Sequence, residues 1–336
     1  MKIGIHHNKI SYSEGLIDYC KNNHVDFKIV NAYSSEIIAD LEDCDAFFWH
    51  FYHNDPKDVL FAKQLLFSLE LSGKKVFPNF KSCWHFDDKV GQKYLLESFE
   101  LPLIPSFVAY SKSDALKLIE NQKFPIVFKL RGGAGSYNVS LIKTKSKAKS
   151  MINKSFGKGF RQFNPSNDIT YNYKKLIKDG FSLNRIKNLL KSTAHLLIPY
   201  KIEQTLGKER GYFYFQTFIP DCSFDYRVQF IGDICYAMKR YVRKGDFRAS
   251  GGGNIDYDGS QIPMEVIKLA KIVKEKLNMQ TMAIDILPLG NEFVIAEVSF
   301  AFAIDEGECD FGYYDSELNW INQKFNPYEF MTKLFI

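Results

Sequence analysis

"TMAIDILPLGNEFVIAEVSF", residues 281–300, is the stretch whose reading decides the fold. Gly290-Asn291 is a good two-residue turn, and it separates strands expected at 281–289 and 292–300. Pairing outward from the turn brings Asp285 and Glu297 opposite each other to within a residue. Two carboxylates opposed on a largely apolar hairpin repel and are costly to desolvate. A divalent cation between them removes the conflict, and carboxylates plus nucleotide phosphates are the usual Mg2+ arrangement. Ser299, two residues past Glu297, lies on the same face and offers a hydroxyl. The competing reading is a carboxylate pair that holds no metal.

Upstream lie three more expected strands, "GYFYFQTFI" (211–219), "SFDYRVQFIG" (223–232) and "DICYAMKRYV" (233–242), and a helix at 262–277. In the second strand, alternation puts Asp225, Arg227 and Gln229 on the face opposite Phe224, Tyr226, Val228 and Phe230. Asp225 and Arg227 side by side read either as a solvated surface or as an ion pair aiming Arg227 at an anion. Further upstream, "FKLRGGAGSYNVSLIK" (128–143) reads as a hairpin with a glycine-rich tip. Its flanks are strand and strand, and it matches neither G-x-x-x-x-G-K-[ST] nor G-x-G-x-x-G. Gly132, Gly133 and Gly135 would let backbone N–H groups approach phosphate oxygens. Lys129 shares a strand face with Val127, and Ile126, Phe128 and Leu130 take the other. Taken alone, a plain flexible turn explains the loop equally well.

The first 80 residues alternate strand and helix signals: strands at "KIGIHH", "VDFKIV", "DAFFWHFY" and "KKVFPN", with helices at 13–23, 35–42 and 56–71 between them. That order predicts a small open parallel sheet with its ligand mouth at the strands' carboxyl ends. His6, His7, His50 and His53 fall near that mouth, where structural roles compete with ligand contact. Helices follow at about 86–98 and 113–121, and residues 144–205 read as helical and basic. Residues 143–191 carry thirteen Lys or Arg against Asp168 and Asp179, a local charge of +11 within a chain of net +5. Such a segment is a solvated helical face or a surface for an anionic partner.

A chain of 336 residues predicts more than one domain. No apolar run is long enough to span a bilayer, and "MKIGIHHNKI" lacks a signal peptide's apolar core. Six scattered cysteines without a C-x-x-C pair fit reduced thiols rather than disulfides or a zinc site. A cytoplasmic location is therefore expected. No Ser/His/Asp or Cys/His constellation suggests a covalent nucleophile.

The collinear order of these pieces, from about residue 75 to 300, resembles the ATP-grasp superfamily, especially the ribosomal-protein glutamate ligase and glutathione synthetase. "DDK" with Lys89 looks like the first nucleotide lysine, and "VFKLRGGAGSYNV" like the second, Lys129, with its phosphate-covering loop including Ser136. "FQTFI" (Phe215, Gln216, Thr217, Phe218, Ile219) looks like the interdomain hinge whose backbone holds adenine. "DYR" matches a D-x-R whose arginine, Arg227, meets the γ-phosphate, and "KGDFRASGGG" places Arg248 toward phosphate and acceptor. "AID…AEVS" resembles the D…E-x-N metal cluster through Asp285, Glu297 and Ser299. Two departures stand out. Ser299 replaces the common Asn, a poorer Mg2+ ligand, and Thr217 replaces a frequent acidic residue, leaving Asp221 as the candidate ribose contact.

The resemblance implies an α/β (α+β) ATP-grasp fold in three parts: a small parallel α/β domain at 1–84, a lid at 85–211 with the basic insert at about 144–205, and a metal-bearing sheet domain at 212–336. It implies ATP and Mg2+ as cofactors and an ADP-forming carboxylate–amine ligase working through an acyl phosphate. The expected substrates are a small-molecule or glycan-precursor carboxylate and an amine. No nucleic acid or membrane span is expected, and a homodimer is compatible with the sequence. The rival readings are an ATP-grasp kinase acting on a hydroxyl and a non-catalytic binder of an anionic polymer.

Overall fold

The computed structural model describes residues 1–9, 11–132, 138–163, 165–242 and 254–335. Contacts divide it into two units: Met1–Ile104 with Ile219–Ile336, and Pro105–Phe218. The second unit is thus inserted between two parts of the first.

Four short strands, Lys2–His6, Asp26–Val30, Ala46–Phe48 and Lys75–Phe77, form the expected parallel sheet of the first unit, in the order second, first, third, fourth. Helices Ser13–Asn22 and Pro56–Leu71 fall where the sequence places them. The latter begins at Asp55, whose side chain accepts from the Lys57 N–H, with Pro56 supplying a preset φ in the first turn. The same unit carries a seven-stranded sheet. At its centre Phe224–Ile231 pairs antiparallel with Ile234–Tyr241 on one side and Thr281–Leu289 on the other, and Glu292–Ser299 pairs beyond. Helix Met264–Leu277 buries Val266, Ile267, Ala270 and Val273 in the shared core, spaced as one helical face requires. Past residue 300, where the sequence reading is silent, two short strands and the helix Pro327–Lys333 close the unit.

The two sheets of this unit share one apolar core. Phe300 packs on Phe51, Phe77 and Phe86, and Phe335 on Phe48. This common core is why contacts give two units where three segments were expected. Helix Lys89–Ser98, assigned by the sequence reading to the lid, likewise belongs with the first unit, where Gln92 Oε1 accepts from the Val298 N–H at 3.3 Å.

The second unit is a four-stranded antiparallel sheet, Ser106–Ala109, Phe213–Thr217, Ile126–Phe128 and Ser140–Ile142 in spatial order, with helices Lys112–Leu118 and Lys145–Ser155. Ile126 pairs with Ile142 and Phe128 with Ser140, the hairpin expected around the glycine loop. Ile126, Phe128 and Leu130 enter this unit's core and Val127 does not, which matches the predicted alternation. Helices Pro165–Asp179, Leu183–Ala194 and Lys201–Leu206 make up the basic segment.

All six cysteines are free. Among the described residues, no helix is long and apolar enough to cross a membrane.

Candidate functional site

One face of the large sheet is polar, and its register follows from two turns. The Gly232-Asp233 connection sets Ile231 against Ile234, and counting back places Asp225 opposite Arg240 and Arg227 opposite Met238. On the other side Arg227 lies opposite Asp285.

The Gly290-Asn291 turn sets Leu289 against Glu292, and uninterrupted pairing would then put Ala296 opposite Asp285. A β-bulge between Asp285 and Ile286 changes this. Ile286 pairs with Ile295, Ala296 is skipped, and Asp285 faces Glu297. Were Ala296 paired in register instead of skipped, Glu297 would lie opposite Ile284, whose side chain is fully buried in the core. Bulges of this kind re-aim side chains at functional sites.

Charges on this face are tightly paired. Arg227 donates Nε to Asp285 Oδ1 at 2.7 Å and Nη2 to Oδ2 at 2.9 Å. Arg240 grips Asp225 in the same two-pronged way at 2.7 and 2.6 Å, and its Nη2 also lies 2.8 Å from Asp285 Oδ2. The Asp225–Arg227 pair considered from the sequence is thus replaced by two cross-strand pairs. Residues i and i+2 on one strand stand farther apart than residues directly opposite on neighbouring strands. Burial opposes ionisation of Asp285, but Arg227 and Arg240 hold its pKa well below the usual carboxylate range. Burial raises the pKa of Asp225, against the pull of Arg240.

Lys89 opens its helix beside this array. Asp88 caps that helix by accepting from the Gly91 N–H at 2.9 Å. The Lys89 Nζ lies 3.7 Å from Glu297 Oε1 and 3.8 Å from Asp87 Oδ1. Burial alone would lower the Lys89 pKa, but the two carboxylates outweigh it and the net shift is upward. The structure therefore brings together Lys89, Arg227, Asp285, Glu297 and Ser299 from the expected set.

Repulsion between Asp285 and Glu297 was the ground for expecting a metal, and here the protein's own cations already offset it. A cation site must rest instead on the donors. Among the described residues, no group of three or more His, Cys, Asp and Glu side chains is arranged to hold an ion. Two adjacent carboxylates are nevertheless the protein's usual share of a Mg2+ site that phosphate oxygens complete. Glu297 is more than one-third exposed and its contact with Lys89 is long, so its oxygens are accessible. Ser299 Oγ donates to the Ala301 carbonyl at 2.7 Å and accepts from the Ala301 N–H at 3.2 Å, which leaves one lone pair. Glu297 is the open donor of the pair, since both Asp285 oxygens already lie against arginine and Asp285 would have to share one with an ion.

Of the other expected residues, Lys129, Gln216 and Thr217 belong to the second unit and Asp221 to the first. Gln216 is buried in the second unit and donates Nε2 to Ser106 Oγ at 3.0 Å, while the Thr217 N–H is taken by the Pro105 carbonyl at 2.9 Å. Lys129, half-buried just past the Ile126–Phe128 strand, donates its N–H to the Tyr214 carbonyl at 3.3 Å. Gly132 is the last described residue before the loop; Gly133, Gly135, Ser136 and Arg248 lie outside the described residues. The boundary between the units falls between Phe218 and Ile219, inside "FQTFI". Asp221, with φ 56°, is in the first unit on a turn that lines an open depression of about 330 Å³ with Ile219, Phe224, Pro288 and Gly290.

His6 and His50 are structural. Each accepts a backbone N–H at Nδ1, from Ala32 at 3.1 Å and from Tyr12 at 3.0 Å. Burial pushes the pKa of His50 down to about 3.

Two contributors went unnoticed in the sequence. Arg240 was findable by counting from Gly232-Asp233. Glu308 was not, because nothing in "DEGECD" marks one acid as buried. Its side chain accepts the Tyr236 hydroxyl at 3.0 Å. Burial pushes its pKa up to about 7, against the Asp305 N–H, the Tyr236 hydroxyl and the charge of Arg227.

No family model matches the sequence, and no curated protein matches it. Solved structures do match. A RimK domain ATP-grasp protein from Sphaerobacter thermophilus DSM 20745 aligns with TM-score 0.53 at 14% identity, covering 89% of this chain and 90% of that one. The ATP-grasp ligase PsnB, solved with a minimal precursor, aligns with TM-score 0.54 at 12% identity over 100% and 98%. D-alanine–D-alanine ligase from Bacillus anthracis aligns with TM-score 0.50 at 13% identity over 89% and 86%. This chain has the ATP-grasp fold.

Proposed function

We propose that the protein is an ATP-dependent carboxylate–amine ligase. The observation that carries this reading is the Lys89–Glu297–Asp285–Arg227 array on one sheet face of an ATP-grasp fold. In the first step a substrate carboxylate oxygen attacks the γ-phosphorus of ATP, the bond to the β-phosphate oxygen breaks, and ADP leaves an acyl phosphate. An amine then attacks the acyl carbon, expels inorganic phosphate and loses a proton to give the amide.

The side chains present suit this charge flow. Arg227 uses two of its five N–H groups on Asp285, so it is held in place with three still to offer transferring phosphoryl oxygens. Arg240 takes no direct part and instead fixes Asp285 and Asp225, which makes it a positioning residue. Lys89 is assigned to exchange its carboxylate contacts for phosphate, and Lys129, Gly132, Gly133, Gly135 and Ser136 are likewise assigned to phosphate. The backbone of 216–219 is assigned to adenine, Asp221 to ribose and Arg248 to the acceptor. Glu297 and Asp285, with Ser299 as a weaker third donor, would hold Mg2+, which when bound would neutralise phosphate charge. Glu308 has a pKa close to neutrality beside Arg227 and suits transient storage of the amine's proton.

The substrate pair is placed in the cytoplasm as a small-molecule or glycan-precursor acid and an amine. The deciding experiment incubates enzyme, ATP and Mg2+ with a panel of acids, first with amines and then with hydroxylamine. A ligase releases ADP and free phosphate and yields a hydroxamate. Phosphate retained on a hydroxyl of the product would establish the kinase instead. Absence of Mg2+-dependent ATP binding by calorimetry, or unchanged affinity in Lys129→Ala, would remove the nucleotide assignment.

A further inference from the structure

The basic helical segment of the second unit exposes apolar side chains beside its lysines. Helices Pro165–Asp179 and Leu183–Ala194 are joined by only three residues and pack side by side as a helical hairpin. Leu176 and Ser192 are buried side chains of the pair, one from each helix. Asn172 donates Nδ2 to Ser192 Oγ at 3.3 Å, and Asn172, Lys175, Asn184 and Asn188 line a cleft between the helices.

A further set of apolar side chains is exposed. Tyr173 and Ile177 follow helical spacing into Phe181 of the connecting turn, and Leu183, Ile186 and Leu190 follow it along the second helix. Phe181 is 83% exposed, Leu183 87% and Leu190 66%. Single exposed leucines are unremarkable, but rows of exposed apolar side chains at helical spacing on two adjoining helices and the turn between them mark a contact surface. Lys174, Lys187 and Lys191 are exposed on the same two helices, within the stretch of local charge +11.

Charge and shape choose among occupants. A second copy docking through the same face would set like charge against like charge. A nucleic acid would meet the cations but leave the apolar residues in water. An acidic protein helix needs an apolar groove, and the cleft present is polar while the apolar residues stand at its outside and on the turn. A bilayer interface rich in anionic lipid meets both halves of the pattern. Phe181, Leu183 and their neighbours enter the headgroup–acyl boundary, and lysine stems lie along them with ammonium groups among the phosphates.

We propose that the helical pair 165–194 docks the protein on an anionic lipid surface. The inference rests on this face alone and is independent of the ligase reading.

The test is co-sedimentation of the full chain with phosphatidylcholine vesicles, with and without about 30% phosphatidylglycerol, at about 0.1 M salt. Binding should be at least about tenfold tighter to the anionic vesicles and should weaken as salt rises. The double variant Phe181→Ser, Leu183→Ser should lose about tenfold or more, with its melting temperature unchanged because both side chains lie in solvent. The triple variant Lys174→Gln, Lys187→Gln, Lys191→Gln should lose the preference for anionic lipid. No sedimentation with either vesicle at millimolar lipid would overturn the proposal, as would wild-type binding by the double variant. Tight binding of poly-L-glutamate without vesicle binding would overturn it in favour of an acidic polymer.

Discussion

Glu308 offers a test in which structure sets both the sign and the size of the effect. Burial raises its pKa from 4.5 to about 7. Its neighbours are Tyr236, Asp305, Tyr12 and Arg227, and of these only Arg227 brings a positive charge. A carboxyl that holds its proton more tightly when folded favours the native state at low pH. That contribution is complete below the unfolded pKa near 4.5 and is lost as pH climbs through the folded value near 7. A shift of this size corresponds to about 3 kcal/mol between the two ends of the window. Spread over the cooperative unit that contains Glu308, it amounts to roughly 7 °C in melting temperature. Glu308→Gln mimics the protonated acid, so it should match the wild type near pH 4.5 and melt about 7 °C higher at pH 8. Differential scanning calorimetry of both proteins across that range measures the gap. A gap that stays constant, or one that closes as pH rises, would refute the assignment of a buried, proton-holding Glu308.

Arg240→Met strands Asp225 as a buried charge, while Asp285 keeps Arg227, and should cost about 3–5 kcal/mol in urea denaturation. A cost below about 1 kcal/mol would mean that the Asp225–Arg240–Asp285 contacts are incidental. Glu297→Gln should lower kcat about 10²- to 10³-fold. Its melting temperature should stay within about 2 °C of wild type, since Lys89 already offsets the carboxylate at a partly exposed site.

Most elements were legible because their signals are local. Alternation in 223–232, the turn at Gly290-Asn291 and the strand–helix alternation of the first 80 residues each depend on neighbours in the chain. The hairpin at 126–142 and the long strands appear where periodicity puts them. What local pattern does not carry is partner choice. Asp225 next to Arg227 in sequence suggests a pair, yet each finds a closer partner across the sheet. The bulge at Ala296 has no glycine to announce it, so Asp285 and Glu297 could be placed opposite each other only to within a residue. The exposed apolar rows of the basic helices were equally hidden. Charge is visible in a sequence, but which side of an amphipathic helix finds a neighbour depends on what the rest of the unit leaves uncovered.

The chain leaves its first unit at Ile104 and returns to it at Ile219, which has a consequence for synthesis on the ribosome. The parallel sheet emerges first, but the residues that cover it emerge last. Tyr12 awaits the Phe302 N–H, Phe77 awaits Phe300, and Lys75 Nζ awaits the Phe335 carbonyl. Residues 105–218 have no such debt, since their core is complete within a continuous segment. At cellular elongation rates the N-terminal sheet must remain unfinished for on the order of 10 to 50 s, while the inserted unit can fold at once. Nascent chains stalled after residue 218 should therefore resist protease over 105–218 and be cleaved within 1–104, so the segment translated second is the first to become native.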